Sequence, residues 1–378
     1  MPGPLQGIRI IELAGIGPSP YACMLLADAG ADVLRLERPK ASPSDEPHWD
    51  LLNRSRPSVG IDLKHPEAAG IVLDLVATAD ALIEGMRPGT TERLGVGPEA
   101  CLARNPRLVY GRMTGWGQDG PLANAVGHDI DYIAISGALG AIGRAGERPV
   151  PPLNLVGDFG GGGMLLAFGI TAALLEARGS GTGQVVDAAM TDGSASLLTM
   201  AHAFLAAGLS TEERGTNLLD TGAHFYEVYE TADGRFVAVG AIEPRFYAAL
   251  LDGLELRTGD VPPQMDRSTW PQMKGLFAAK FRAKTRDEWE ARFHGTEACV
   301  APVLSPLEAI DHPHNRARST FVEVAGVLQP GPAPRFSRTP SSISAPPEDP
   351  GRSTDVALER WGLDPARIAS LRATGALG

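Results

Sequence analysis

The chain has 378 residues, 43% of them hydrophobic, which exceeds the roughly 250–300 residues that one core usually serves, so two domains are expected. A formal charge of −11 and a pI near 5.3 disfavour nucleic acid or an anionic membrane as the main partner, because both reward a basic surface. Three cysteines at unrelated spacings, Cys23, Cys101 and Cys299, suggest neither a disulfide framework nor a zinc site and point to a reducing, cytoplasmic setting.

The start, Met1-Pro2-Gly3-Pro4-Leu5, lacks a charged region leading into an apolar run. No segment is expected to reach the roughly 20 apolar residues of a membrane span, Met164–Leu175 being the longest candidate. The last residues, Ala376-Leu377-Gly378, carry no peroxisomal tripeptide.

In chain order, Ile8–Leu13 reads as a strand, Tyr21–Ala29 as a helix ending at Gly30, and Val33–Leu36 as a second strand. Ser58–Leu63 is a third, Pro66–Thr78 an amphipathic helix, Ala81–Glu84 a fourth strand and Leu108–Met113 a fifth. Strands alternating with helices predict a mostly parallel sheet covered on both faces. A glycine run, Gly160–Gly163, then opens an apolar helix over Met164–Arg178, followed by a buried strand, Gln184–Ala189.

Composition shifts near Thr211. Phe225–Glu230 and Arg235–Val239 flank Ala232-Asp233-Gly234 as a β-hairpin, helices follow at Arg245–Leu254, Trp270–Phe281 and Thr285–Phe293, and Cys299–Leu304 reads as an apolar strand with Cys299 in the core. Pro330–Pro350, rich in Pro and Ser, predicts an extended strap. Two short helices are expected within Ser353–Leu377.

Gly15-Ile16-Gly17-Pro18-Ser19-Pro20 has a proline where a dinucleotide-binding turn needs its third glycine, so nicotinamide binding is not expected. Basic residues punctuate the strand exits: Arg38 and Lys40, Arg54 and Arg56, Lys64, Arg87, Arg93. As a set they suit a phosphorylated ligand beyond the carboxyl ends of the strands; singly each reads as a solvated charge.

Two phrases carry the chemistry. Gly127-His128-Asp129-Ile130-Asp131-Tyr132 offers an imidazole beside carboxylates, and Val156-Gly157-Asp158-Phe159 leads into the glycine run. An imidazole, a carboxyl group and free amides can remove a proton next to a carbonyl and hold the enolate. The bland alternatives are a structural His128 and an Asp158 that caps the helix starting near Gly161. An acid role would require burial among Leu155, Val156 and Phe159 to keep Asp158 protonated. Glu243, before Pro244, ends a strand and also suits a helix's first turn.

Across essentially its whole length the chain resembles the family III CoA transferases of the CaiB/BaiF type, and within them the α-methylacyl-CoA racemases. The resemblance rests on Pro4-Leu5-x-Gly7-Ile8-Arg9, Glu12-Leu13-Ala14, Asp62-Leu63-Lys64 and Ile83-Glu84-Gly85-Met86-Arg87-Pro88-Gly89 with Glu92-Arg93-Leu94-Gly95. It continues through Thr114-Gly115-Trp116-Gly117-Gln118, Gly127-His128-Asp129, Gly157-Asp158 and Gly183-Gln184-Val185-Val186-Asp187-Ala188-Ala189-Met190.

The resemblance implies an open, mostly parallel, Rossmann-like α/β sheet, a second, smaller α+β domain, and an interlocked homodimer. The corresponding boundaries are residues 1–200 for the large CoA-binding domain, 215–325 for the small one and 326–378 for a strap and helices returning to the large one. His128 with Glu243 would serve one face of the substrate's α-carbon and Asp158 the other. Arg38, Lys64, Arg87 and Arg93 would lie towards the CoA, with Asp129, Tyr132, Gly160 and Gly161 around the thioester. The substrate would be a 2-methyl-branched acyl-CoA, no cofactor being needed beyond the CoA it carries and no metal.

Transferases of the family use the aspartate matching Asp158 as a nucleophile that forms acyl-enzyme anhydrides. They generally lack the Gly-His-Asp phrase, which favours the racemase branch here. Two departures bear on substrate preference: Asp131 stands where racemases commonly have Asn, and His224 occupies an unusual place in Gly222-Ala223-His224-Phe225-Tyr226.

Overall fold

Arg9–Leu13 (β1) is apolar except for Arg9 and Glu12, and four of its five residues are buried, as a central strand covered on both faces requires. The computed structural model describes residues 3–39 and 49–378; Lys40, one of the basic strand-exit residues, lies outside them. The sheet continues with Asp32–Glu37 (β2), Ser58–Gly60 (β3), Ala81–Glu84 (β4), Val109–Thr114 (β5) and Val185–Ala189 (β6). All six are parallel, in the order β3-β2-β1-β4-β5-β6. The order reverses between β1 and β4, and ligands of such sheets bind in the crevice beyond the carboxyl ends at that point.

The chain forms two compact units, one of residues up to Ser136, Leu153–Leu197 and His314–Gly378, the other of Gly137–Pro152 and Leu198–Pro313. These cuts differ from the division at 200, 215 and 325. The short excursion Gly137–Pro152, between the two chemical phrases, joins the second unit.

In the first unit, helix Ala68–Val76 and the C-terminal helices Thr354–Arg360 and Pro365–Ala373 cover one face of the sheet through Ile71, Leu75, Leu358 and Leu371. Helix Pro18–Asp28 and the long helix after the glycine run cover the other, through Cys23, Leu26, Leu166 and Ile170. Each such buried aliphatic side chain contributes about 1.5–3 kcal/mol relative to exposure. The chain end is stitched to β3, where the Gly378 N–H donates to the Gly60 carbonyl at 3.0 Å.

Leu155–Met164 is a π-helix that runs directly into the α-helix Leu165–Ser180. Asp158 therefore lies inside a helical turn and caps nothing. The reason is packing. Gly161, Gly162 and Gly163 are buried, and a Cβ on Gly161 would come within 2.6 Å of the Ser194 nitrogen, one on Gly163 within 2.7 Å of the Pro18 carbonyl oxygen. The run lets backbone meet backbone, and the extra residue per turn places Asp158 where an α-helical register would not.

The joined helix, Leu155–Ser180, spans 26 residues and is long and apolar enough to cross a membrane by length and composition. The expectation that no segment reaches that length is thus corrected: the glycines extend the apolar run at its start. Leu166, Ile170, Ala173 and Ala177 are buried in the unit's core, whereas Met164, Phe168 and Leu175 are exposed.

The second unit is built on Tyr226–Glu230 (β7), Phe236–Gly240 (β8) and Val300–Pro302 (β9), an antiparallel sheet in that order. Helices Pro244–Gly253, Trp270–Phe281 and Arg286–Phe293 supply an aromatic core in which Tyr229 stacks on Phe281 at 5.0 Å and Trp289 on Phe293 at 5.7 Å. Buried Glu227 accepts both guanidinium nitrogens of Arg144 at 3.0 Å, fastening the excursion, and pairs with Lys274 at 3.0 Å. Cys299, expected in the core, is exposed with φ +51°, because the chain turns just before β9. A further hairpin, Phe321–Val324 (β10) with Val327–Pro330 (β11), belongs to the first unit.

Candidate active site

A pocket of about 930 Å³ opens at the carboxyl ends of β1, β4 and β5, where the strand order reverses. Its walls come from Ile16–Ser19 after β1, Gly85–Pro88 after β4 and Met113–Trp116 at the end of β5. Both chemical phrases also contribute to its lining, with Gly127, His128 and Asp129 from one and Asn154, Asp158 and Phe159 from the other.

His128 precedes helix Asp129–Ile135 in extended conformation, and its backbone N–H donates to the Asp131 carboxylate at 3.0 Å, closing the first turn. The residue is exposed and lines the pocket. Tyr132, one turn on, is buried edge-on against Trp116 at 4.8 Å, and its hydroxyl donates to the Gly127 carbonyl. Burial, then the Asp158 and Asp131 charges, push this phenol up, so it stays a neutral donor. The Trp116 loop is tied down by the other motif: Asp187 accepts the Gln118 N–H at 3.0 Å, and the Thr191 hydroxyl donates to the Gly115 carbonyl at 2.8 Å.

Asp158 is half-buried. Its carboxylate accepts from the Asn154 amide at 3.0 Å and lies against Gly17, where a Cβ would stand 3.1 Å from Oδ2. Gly17 has φ +67°, a conformation that disfavours any side chain. Among its expected apolar neighbours, Leu155 is 57% exposed. Around the Asp158 carboxylate stand the Asn154 amide and the Gly17 backbone; Phe159, next in sequence, also lines the pocket, its ring tilted on Tyr21 at 4.7 Å.

Asp129 joins the two phrases. Its Oδ1 accepts the Asp158 backbone N–H at 2.7 Å and also bonds the Gly157 N–H, while Oδ2 is buried without a hydrogen-bond partner. Burial pushes this carboxyl up against those two amides, and the Asp158 charge adds to the rise. A Cβ on Gly157 would sit 2.3 Å from Oδ1, so the glycine of Gly-Asp is what admits the brace. Asp129 was expected at the substrate; it lines the pocket, and its Oδ1 also holds the segment that carries Asp158.

The basic set divides. Arg87 lines the pocket, whereas Arg38, Lys64 and Arg93 are exposed and outside its lining, Arg93 donating to the Thr90 hydroxyl at 3.0 Å. Arg54 and Arg56, read as strand-exit cations, are interior: Arg54 binds Asp28 at 2.6 Å and Arg56 binds Glu12 at 3.1 Å, all four side chains buried. Gly160 and Gly161 also lie outside the lining, Gly161 packed on Ser194, so the glycine run serves close helix packing here and not an open amide cradle. Glu243 is in the second unit, exposed at the start of helix Pro244–Gly253. Among the described residues no group of three or more His, Cys, Asp or Glu could hold a metal ion.

Sequence reasoning missed Asn154, Gly17 and the bracing role of Asp129. A glycine abutting a carboxylate leaves no signal in composition; the short spacing of Asn154 from Asp158 could have flagged the former.

The CoA-transferase family III profile matches residues 5–354. The α-methylacyl-CoA racemase of Mus musculus is 46% identical over 370 residues, covering 97% of this chain and 96% of that protein. That of Homo sapiens is 44% identical over 372 residues, with the same coverage of each. A CAIB/BAIF family protein from Brucella suis has the same fold, with a TM-score of 0.82 at 23% identity over 96% of this chain and all of that one. On a profile match that spans nearly the whole chain and relatives at 44–46% identity, the chain belongs to the CoA-transferase family III.

Proposed function

We infer that this enzyme racemises 2-methylacyl-CoA thioesters, removing the α-proton and returning it to either face of the resulting enolate. The observation that carries this reading is the shared pocket, whose lining brings an exposed histidine, His128, together with a half-buried carboxyl group, Asp158, from two elements braced together through Asp129. The racemases of mouse and human named above support it.

In one direction His128 takes the α-proton and Asp158 delivers another to the opposite face; for the other enantiomer the roles reverse. The thioester carbonyl makes the proton removable, and no cofactor is required beyond the CoA of the substrate. Each group is expected to contribute on the order of 10²–10⁴-fold. Arg87, on the pocket wall, is proposed to meet the phosphates, with Arg38, Lys64 and Arg93 further along the CoA. Glu243 is proposed to orient His128 from the small domain of a second copy in an interlocked homodimer. The exposed apolar side chains of the long helix, Met164, Phe168 and Leu175, support a covering partner. The free thiols Cys23, Cys101 and Cys299 suit a cytoplasmic setting.

The test is one enantiomer of a 2-methylacyl-CoA in D₂O without acceptor. Deuterium uptake with inversion is expected, strongly reduced in folded His128→Ala and Asp158→Asn proteins; near-wild-type rates in both variants would remove the acid–base assignment. No deuterium uptake, together with acceptor-dependent CoA exchange and an acylated aspartate trapped by hydroxylamine, would instead assign a transferase working through Asp158.

A further inference from the structure

The carboxyl end of β4 holds an ion-pair network that the proton transfer does not use. Glu84, the last residue of β4, is fully buried, and Arg112, its register partner on β5, is 7% exposed. One Glu84 oxygen accepts the Arg112 Nε–H at 3.0 Å, and the other accepts the Met86 backbone N–H at 2.6 Å. The two terminal guanidinium nitrogens reach past Glu84 to Glu92 in helix Thr90–Arg93, at 2.8 and 3.4 Å.

Burying these charges carries a desolvation cost that well-packed apolar residues would avoid, so the network is a poor device for stability alone. What it does is geometric. Through Glu84 it pins the backbone at Met86, and through Glu92 it pins the helix that follows. Between the pins lie Met86, Arg87 and Pro88, all on the pocket wall. The loop is closed further by the Thr90 N–H to the Arg87 carbonyl at 3.1 Å and the Arg93 N–H to the Gly89 carbonyl at 3.2 Å.

We propose that Arg112 is a positioning residue for nucleotide recognition: clamped between Glu84 and Glu92, it holds the Arg87 loop in the shape that receives the phosphate-bearing end of the thioester. The inference rests on the acyl-CoA reading of the site. A pinned loop presents its arginine without an ordering cost at binding, whereas a released loop must be ordered by the ligand. The clamp therefore acts on binding of the nucleotide and leaves the chemistry at the α-carbon untouched.

Glu92 is the partner to change, since its side chain is 45% exposed and its loss leaves Arg112 paired with Glu84. Glu92→Ala is expected to raise KM for a 2-methylacyl-CoA by about 10-fold at unchanged kcat. The matching N-acetylcysteamine thioester, which lacks the nucleotide, should be racemised by variant and wild type alike. Glu92→Gln, which keeps acceptor oxygen for Arg112, should recover part of the loss. In calorimetry Glu92→Ala should weaken free CoA by a similar factor and leave pantetheine unchanged. Arg112→Lys, retaining charge but unable to span both carboxylates, should behave like Glu92→Ala. Equal losses on both thioesters, or an unchanged KM and CoA affinity, would overturn the proposal. If the wild type racemised neither thioester, the functional reading would fail while the CoA and pantetheine titrations still decided the clamp.

Discussion

His224 offers a quantitative test of how the second unit is held together. Its ring is fully buried, edge-on to Phe225 and Phe277 at 5.0 Å and to Tyr247 at 5.5 Å. Nε2 pairs with the Tyr247 hydroxyl at 2.8 Å, and Nδ1 is buried with no partner. A proton added here would be desolvated and would face Lys274, so burial, then that charge, lower the pKa from 6.5 to about 4. The unfolded chain then binds a proton at higher pH than the folded one. Stability from this site is fully present above the unfolded value and is lost as pH falls towards the folded one.

A shift from 6.5 to about 4 corresponds to about 3 kcal/mol in full, of which roughly 2 kcal/mol is lost by about pH 5. The assay is hydrogen exchange of the β7 and β8 amides between about pH 7.5 and pH 5, corrected for intrinsic exchange, on wild type and on His224→Gln, which can still bond the Tyr247 hydroxyl. Wild type should lose roughly 2 kcal/mol more opening free energy over that range than the variant. Parallel pH dependences in the two proteins would refute the reasoning.

Asp129→Ala should lower kcat by about 10- to 100-fold with little change in KM, because the segment carrying Asp158 loses its acceptor; steady-state kinetics on both enantiomers checks this, with Asp129→Asn, which retains a carbonyl acceptor, falling in between. Gly17→Ala adds a Cβ 3.1 Å from the Asp158 carboxylate at a positive φ, so kcat should fall and stability drop by about 1–2 kcal/mol, read from turnover and the urea midpoint. Arg54→Leu leaves the buried Asp28 carboxylate without its cation and should destabilise the first unit by about 3–5 kcal/mol, whereas the Arg54→Leu, Asp28→Asn pair should cost less; denaturant midpoints separate the two.

The sequence by itself determined the parallel sheet and the residues of the chemical phrases. β1, β2, β4 and β5 were legible because buried parallel strands are largely apolar runs, interrupted here by Glu12, Arg35 and Arg112, and the observed strands fall within a residue or so of those runs. His128, Asp158 and Arg87 were legible because their motifs are local. Only the tertiary structure decided what those residues touch. The glycine run that reads as the opening of an α-helix lies, with Asp158, inside a π-helix that packs closely on Pro18 and Ser194. Arg54 and Arg56 read as surface cations, yet their carboxylates, Asp28 and Glu12, lie on neighbouring elements that meet only once the strand order is set. Asp129 holds Asp158 across 29 residues, and Arg112 holds Glu84 across 28. Periodicity and spacing report on neighbours along the chain; pairing between distant charges is chosen by the packing of the sheet, where burial makes a missing partner too costly to tolerate.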